Sequence, residues 1–279
     1  MADHRAEGVP EGVPGGEPAV SVIIPSIGSR GSVHGVERVF VVDAVRSVLR
    51  TADMPVEVIV IAGRGMPPAV TAELRSLGDA VRLVAYDTEF NFSATVNLGA
   101  AHAAGRNLLL LNDDTEVIAD GWLRSMVAAL EPSDVCARVG AVGARLLFED
   151  GTLQHAGHTY RTSLDHVGFG MSGDAAGRRG LLHRRREVAG VTAACLLTPA
   201  HVYDEVGGFT TRLRGNYNDV DYCMKLRYAG FGIVYEPAAT LFHFESRSRV
   251  AGVLPEEIEL IQRRWQRDLE DDPFTPLVV

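Results

Sequence analysis

The chain has only three cysteines, Cys136, Cys195 and Cys223, and they stand far apart. Without a CxxC pair there is neither a zinc knuckle nor a disulfide framework, so each is read as a buried free thiol in a reducing cytoplasm. Long apolar runs are also missing. The longest, Val188 to Leu197, is too short to cross a bilayer. The first eighteen residues hold no basic stretch followed by an apolar core, so no signal peptide is expected. Positive charge is scarce: 27 Lys and Arg face 36 Asp and Glu, a net charge of −9. That excess of negative charge argues against nonspecific nucleic-acid binding, and an anionic ligand would need a local cation. There is no internal repeat, and nothing sets an oligomeric state.

The chain does have globular composition, 46% hydrophobic and 23% charged over 279 residues. Residues 1–18, rich in Gly, Pro and Glu, are expected to be a disordered tail. Val20 to Pro25, Val56 to Gly63, Val81 to Tyr86 and Asn107 to Asn112 are apolar runs typical of strands buried on both faces. Helical spacing separates them at Glu37 to Thr51, Pro67 to Leu77 and Ser93 to Gly105, with Gly105 as the expected C-cap. This alternation predicts an α/β fold with a mostly parallel central sheet flanked by helices. Ligands of such sheets lie outside the carboxyl ends of the strands, here Pro25-Ser26, Ala62-Gly63 and Asn112-Asp113-Asp114.

Later in the chain, Gly140 to Phe148 is strand-like and residues 149–186 read as loops. Val188 to Thr198 reads as a buried strand and Pro199 to Val206 as a short helix. Asn218 is placed as N-cap of a helix from Asp219 to Ala229; a short strand follows, ended by Pro237. Glu256 to Leu269 predicts an amphipathic helix, with Trp265 as a packing residue.

Three segments place chemistry-bearing residues together. An apolar strand runs into Asp113 and Asp114, which are costly to bury unless a cation meets them; a helix cap is the competing reading. Asp219 falls in a first helical turn, where the dipole favours its ionised, proton-accepting form, and again a capping role competes. Asp221 points to a different side, with a structural role or an arginine partner expected. His243 follows an apolar run and precedes Arg247 and Arg249, so it reads either as a half-buried histidine or as a metal ligand beside diphosphate-binding arginines. His155 and His158 sit in a loop assigned to the acceptor side, and the basic run Arg178 to Arg186 reads as a solvated loop.

The order of the segments FNFSATVNLGAAHAAGRNLLLLNDDTEV, VGAVGARLLFEDGTLQHAG and EVGGFTTRLRGNYNDVDYCMKLRYAGFGIVYEPAATLFHFESRSR resembles the bacterial family 2 glycosyltransferases. The resemblance runs from about Val20 to Arg249. It implies a GT-A fold over residues 19–254, with a nucleotide-sugar half at 19–118 and an acceptor half at 119–254; residues 255–279 form a C-terminal helix and tail. It further implies an inverting hexosyl or deoxyhexosyl transfer from a nucleotide-diphosphate sugar, assisted by Mn²⁺ or Mg²⁺. The acceptor would be a saccharide, a lipid-linked molecule or a small molecule, and the location the cytoplasm, or the inner membrane face for a lipid. By motif, Asp114 and His243 would hold the metal and Asp219 would be the general base. Pro25, Ser26, Ala62, Asn97, Asn112, Asp113, Arg247 and Arg249 would serve the donor. The chain departs from the pattern in having Ala62 where an aspartate usually reads the base, Asn112 for the first Asp of DxD, Ala193 for a usual Gly and Asn218 for the Glu of an ED pair. The rival readings are a nucleotidyltransferase, partly matched by Gly28, Arg30 and Gly31, and a noncatalytic nucleotide-sugar-binding homologue.

Overall fold

The structure is a computed structural model and describes residues 18–161, 164–244 and 252–274. All but the last residue of the expected N-terminal tail lies outside these, as do Arg247 and Arg249. The first part of the chain runs through Val20–Ser26 (β1), Arg30–Val33 (β2), Val36–Val39 (β3), Phe40–Thr51 (α1), Val56–Gly63 (β4), Pro68–Arg75 (α2), Val81–Tyr86 (β5), Phe92–His102 (α3), Asn107–Leu111 (β6), Thr115–Val117 (β7) and Trp122–Ala128 (α4). It continues through Val139–Leu147 (β8), Leu153–His155 (β9), His158–Thr159 (β10), Asp165–His166 (β11), Arg186–Glu187 (β12), Cys195–Pro199 (β13), Ala200–Glu205 (α5), Asn218–Tyr228 (α6), Gly232–His243 (β14) and Pro255–Glu270 (α7).

One ten-stranded sheet carries the fold, in the order β12-β14-β8-β13-β6-β1-β4-β5, with β7 paired to β14 and β9 to β8. Strands β5, β4, β1 and β6 are mutually parallel, as is β14 to β8, whereas β13 lies antiparallel between β6 and β8. The continuous apolar runs follow from burial on both faces. Val20, Val22 and Ile24 of β1 pack with Val41, Val45 and Val48 of α1, while Ile23 between them packs with Val96 of α3 in a second core. Each such side chain contributes about 1.5–3 kcal/mol when fully buried. All three cysteines are free and buried.

Strand β4 lies on one side of β1 and β6 on the other, so the winding reverses direction at β1. At such a switch point the helices diverge and leave a crevice beyond the carboxyl ends of the two strands. The ends that meet there are Pro25-Ser26 and Asn112-Asp113-Asp114.

The structure differs from the sequence reading in several places. Residues 37–39, assigned to the first helix, belong to the β2–β3 hairpin. Its two-residue turn, His34-Gly35, has positive φ at both positions (49° and 78°), the backbone that matches strand twist. The strand expected to stop at Pro237 continues to His243, because a register shift between Glu236 and Thr240 takes the proline out of the ladder. The strand expected from Val188 begins only at Cys195. Upstream of it, Gly190 is pressed against the Tyr160 hydroxyl and the backbone N–H of Ala193 donates to Asp219 Oδ2. Within the expected 149–186 loop lie four strands of two or three residues.

Gly105 is not a helix cap. Its N–H donates to Ser21 Oγ at 2.8 Å, and a Cβ there would lie 2.6 Å from the backbone nitrogen of Ser21. Backbone cannot yield as a side chain does, so Gly105→Ala is expected to destabilise by about 1–3 kcal/mol, read as a lower urea midpoint with an unchanged slope.

Candidate active site

The site is assembled from four stretches of chain. Strand β1 delivers Ser26, whose hydroxyl donates to Asp113 Oδ2 at 2.6 Å and accepts from the N–H of Gly28 at 2.9 Å. This bond bridges the switch point and fixes one carboxylate oxygen of Asp113. After β6, Thr115 Oγ1 donates to the Asn112 carbonyl at 2.8 Å, tightening the turn that presents both aspartates.

Strand β7 then pairs with the end of β14, with His243 opposite Thr115, and the N–H of Phe244 donates to the Asp114 carbonyl at 2.9 Å. The pairing sets His243 Nε2 3.2 Å from Asp114 Oδ1 and 3.2 Å from Asn112 Nδ2. Gln154 accepts at Oε1 from His243 Nδ1 (2.6 Å) and donates from Nε2 to the His243 carbonyl (3.4 Å), which orients its amide. An amide oxygen only accepts, so Nδ1 carries a proton and Nε2 is the ring nitrogen that faces the Asp114 carboxylate. Two electron-pair donors so close together, one an imidazole nitrogen and one a carboxylate oxygen, form a donor set suited to a divalent cation. Gln154 is a residue that motif matching passed over, since its only sequence signal was its place beside His155.

The opposite wall comes from α6. Asp219 accepts at Oδ1 from the N–H of Val220 (2.8 Å) and at Oδ2 from that of Ala193 (3.2 Å). These bonds hold the carboxylate while leaving lone pairs free to accept a proton. Asn218 is the first residue of this helix rather than its cap. The capping residue is Tyr217, in left-handed backbone at φ 56° with no side-chain cap bond. Such strain persists only where neighbours enforce it. Here Glu257 of α7 does so, accepting from the N–H groups of Gly215 and Asn216 and from Asn216 Nδ2. Burial pushes the Glu257 carboxyl up, but these bonds more than offset it and hold it below the usual carboxylate range.

These walls enclose a cavity of about 610 Å³, lined among others by Pro25, Ser26, Asn112, Asp113, Asp114, His158, Asp219 and His243. The volume suits a drug-sized organic ligand. Among the described residues, four of those expected at the site do not line it. Ala62 sits one strand over, opposite Ser26. Asn97 spends its amide on Phe209 and Tyr203, tying α3 to the 203–209 turn, which corrects the donor assignment. His155 is fully buried behind the wall. Asp221, also fully buried, accepts from Trp265 Nε1 at 2.8 Å and from Thr210 Oγ1 at 2.6 Å and pairs with Arg264 at 3.0 Å, so its role is to lock α6 onto α7 rather than to meet an acceptor.

Residues 18–267 match the profile of the family described as Glycosyltransferase like family 2. The chain belongs to that family. As a family 2 glycosyltransferase domain it is 34% identical over 277 residues to an uncharacterized protein, y4gI, of Sinorhizobium fredii, a match that covers 94% of this chain and 29% of that protein. It is 33% identical over 209 residues to the O-antigen biosynthesis protein RfbC of Myxococcus xanthus, covering 72% of this chain and 16% of that protein. The chain thus spans less than a third of the length of these relatives. Its fold is similar to that of GalNAc-T7, solved with UDP, GalNAc and Mn²⁺, at a TM-score of 0.66 and 14% identity, over 91% of this chain and 49% of that one. The fold is GT-A, a mixed α/β architecture with a mostly parallel central sheet flanked by helices.

Removing Asp221 strands the buried indole N–H of Trp265 and two cations, Arg264 and, 3.8 Å away, Lys225. Asp221→Ala is therefore expected to cost about 3–5 kcal/mol of unfolding free energy by urea titration; a loss below 1 kcal/mol would contradict this role.

Proposed function

We propose that the chain transfers a sugar from a nucleotide-diphosphate sugar to an acceptor hydroxyl with inversion at the anomeric carbon. Family membership supports sugar transfer. The observation that carries the mechanism is the single cavity bounded by the Asp114–His243 pair on one wall and by Asp219 on the other. Mn²⁺ or Mg²⁺ held by Asp114 and His243 would neutralise the charge that develops on the departing diphosphate. The Mn²⁺ and UDP in the GalNAc-T7 structure favour this reading, as does the mixed oxygen and nitrogen donor set.

The chain's own groups do the rest. Ser26 and Asp113 lie at the switch point, where Asp113 meets the donor ribose or sugar. Asp219 takes the proton of the acceptor hydroxyl as its oxygen bonds to the anomeric carbon from the face opposite the leaving group. The bond from that carbon to the diphosphate oxygen breaks, and the nucleoside diphosphate leaves. One displacement inverts the configuration. Arg247 and Arg249, outside the described residues, are proposed as further donors to the diphosphate. A saccharide acceptor is favoured by the relative named for O-antigen biosynthesis, with lipid-linked and small-molecule acceptors as the other classes. Among the described residues no helix is long and apolar enough to cross a membrane. We place the reaction in the cytoplasm, or at the inner membrane face for a lipid-linked acceptor.

Asp219→Asn keeps the side chain's shape and removes the base. Donor affinity is expected to stay within about twofold of wild type by calorimetry, while nucleoside diphosphate release in the presence of acceptor falls about 10²–10⁴-fold. Near-wild-type turnover would overturn the assignment.

Gln154→Leu deletes the acceptor that orients His243. Mn²⁺ affinity, read from the free-ion signal in electron paramagnetic resonance, is expected to fall about 10–100-fold, and Gln154→Glu, which also accepts from Nδ1, to restore much of it. Equal affinity in all three proteins would rule out the orienting role.

A further inference from the structure

Beside the cavity lies a cluster of imidazoles that the proposed transfer leaves without a role. His155 ends β9, His158 opens β10, and His166 of β11 is the cross-strand partner of His158. Gly157, at φ 100°, allows the sharp reversal that brings His155 and His158 together. The ring centroids are 4.7–5.1 Å apart, and one nitrogen from each ring lies within 4.8 Å of the other two. We propose that His155, His158 and His166 bind a divalent transition metal of the zinc class, at a site separate from the Asp114–His243 pair.

Four observations support it. First, the two buried rings, His155 and His158, are held toward the neutral, electron-pair-donating form. Burial, then the neighbouring imidazoles, hold His155 well below the usual histidine range; burial brings His158 to about 4 against the opposing pull of Asp219. Second, two rings have the outer contacts that orient metal-binding histidines. His166 Nδ1 donates to the Gln154 carbonyl at 3.2 Å, which turns Nε2 away from that contact, and His158 Nδ1 meets the Tyr160 hydroxyl at 3.0 Å. Gly190 makes room for that second contact, since a Cβ there would lie 2.0 Å from the hydroxyl oxygen. Third, His155 has no exposed surface, its Nδ1 has no hydrogen-bond partner, and its Nε2 receives the N–H of Thr192 only at 3.3 Å, the long end of such a bond. Coordination at Nε2 would exchange that long bond for a strong one. Fourth, His158 and His166 both line the cavity while His155 lies behind them, so a metal held by all three would have its remaining position open to the cavity.

Three imidazoles without a carboxylate select Zn²⁺, Co²⁺ or Ni²⁺ over Mg²⁺, whereas the Asp114–His243 pair accepts harder ions, so donor chemistry sorts the two sites. Zn–N bonds of ~2.0–2.1 Å in a tetrahedron put the nitrogens about 3.3 Å apart, so a bound metal would draw together rings whose nitrogens now lie within 4.8 Å of one another. Gln154 joins the sites, holding His166 by its carbonyl and His243 by its side chain.

The test is a calorimetric titration with Zn²⁺ alone, without donor, on wild type, Asp114→Asn, His166→Ala and His158→Gln, with circular dichroism as the folding control. Co²⁺ absorption supplies a second readout. We expect Asp114→Asn to retain one equivalent of Zn²⁺ and the visible bands of tetrahedral Co²⁺. His166 is half-buried at a hairpin edge, so its replacement should leave the dichroism unchanged and weaken Zn²⁺ at least the roughly 10–100-fold that losing an outer contact costs. His158→Gln should do the same. Absence of Zn²⁺ binding to wild type, or binding that vanishes in Asp114→Asn and survives both histidine variants, overturns the proposal. Because no sugar donor is present, neither result bears on whether the chain transfers sugar.

Discussion

The pairing of His243 with Thr115 across β7 and β14 is the constraint on which the site depends. Asp114 and His243 are 129 positions apart in number, yet a single step of antiparallel register brings their side chains to 3.2 Å. A one-residue slip would turn His243 to the other face of the strand. The bulge between Glu236 and Thr240 resets the register of β14 on β8, which it pairs on both sides of the bulge, while the last three residues of β14 pair with β7 on the other edge. Pro237 therefore marks an adjustment of register, where a local reading sees the end of a strand.

Electrostatics explains why the site needs such exact neighbours. The chain carries a net charge of −9, and its cavity gathers Asp113, Asp114 and Asp219. A diphosphate entering that field is repelled unless cationic charge is fixed locally. In the proposed transfer the ligand is a diphosphate, and Gln154 orients the His243 ring beside a carboxylate. A cation there would convert the most repulsive part of the cavity into its attractive part. The negative charge of the remaining surface then matters little at distances beyond a Debye length of about 8 Å in physiological salt.

Much of this was legible in the sequence because the relevant physics is local. Strands buried on both faces must be apolar throughout, so β1, β4, β5 and β6 announce themselves, and their alternation with helices implies the parallel sheet. The switch point follows, and with it Ser26 and the Asn112-Asp113-Asp114 turn. Features that depend on distant partners were not legible. Asn97 carries an amide that suits a donor ligand equally well as the 203–209 turn, and only the fold shows which it meets. Asp221 was legible in part: its place on another side of the helix and its arginine partner were expected, but only the fold shows that the partner is Arg264 of α7 and that Trp265 joins it. The His34-Gly35 turn did carry a local signal, a glycine after a turn-tolerant residue between two valines, and was hidden by the helical spacing that follows.

Helix α7 shows how an apparently peripheral element enters the chemistry. Its Glu257 holds the loop that forces Tyr217 into left-handed backbone, and its Trp265 holds Asp221. The two contacts grip the first turn of α6 from both sides of Asp219, so the carboxylate is positioned by its helix and by the helix packed against it. In the role proposed for Asp219, a base facing an acceptor hydroxyl tolerates little displacement, since an ångström of misplacement costs on the order of 10²-fold in rate. The strain at Tyr217 is the structural cost of that rigidity. A relaxed cap would let the α6 terminus rotate, and Asp219 would lose the Ala193 contact that aligns it with the opposite wall.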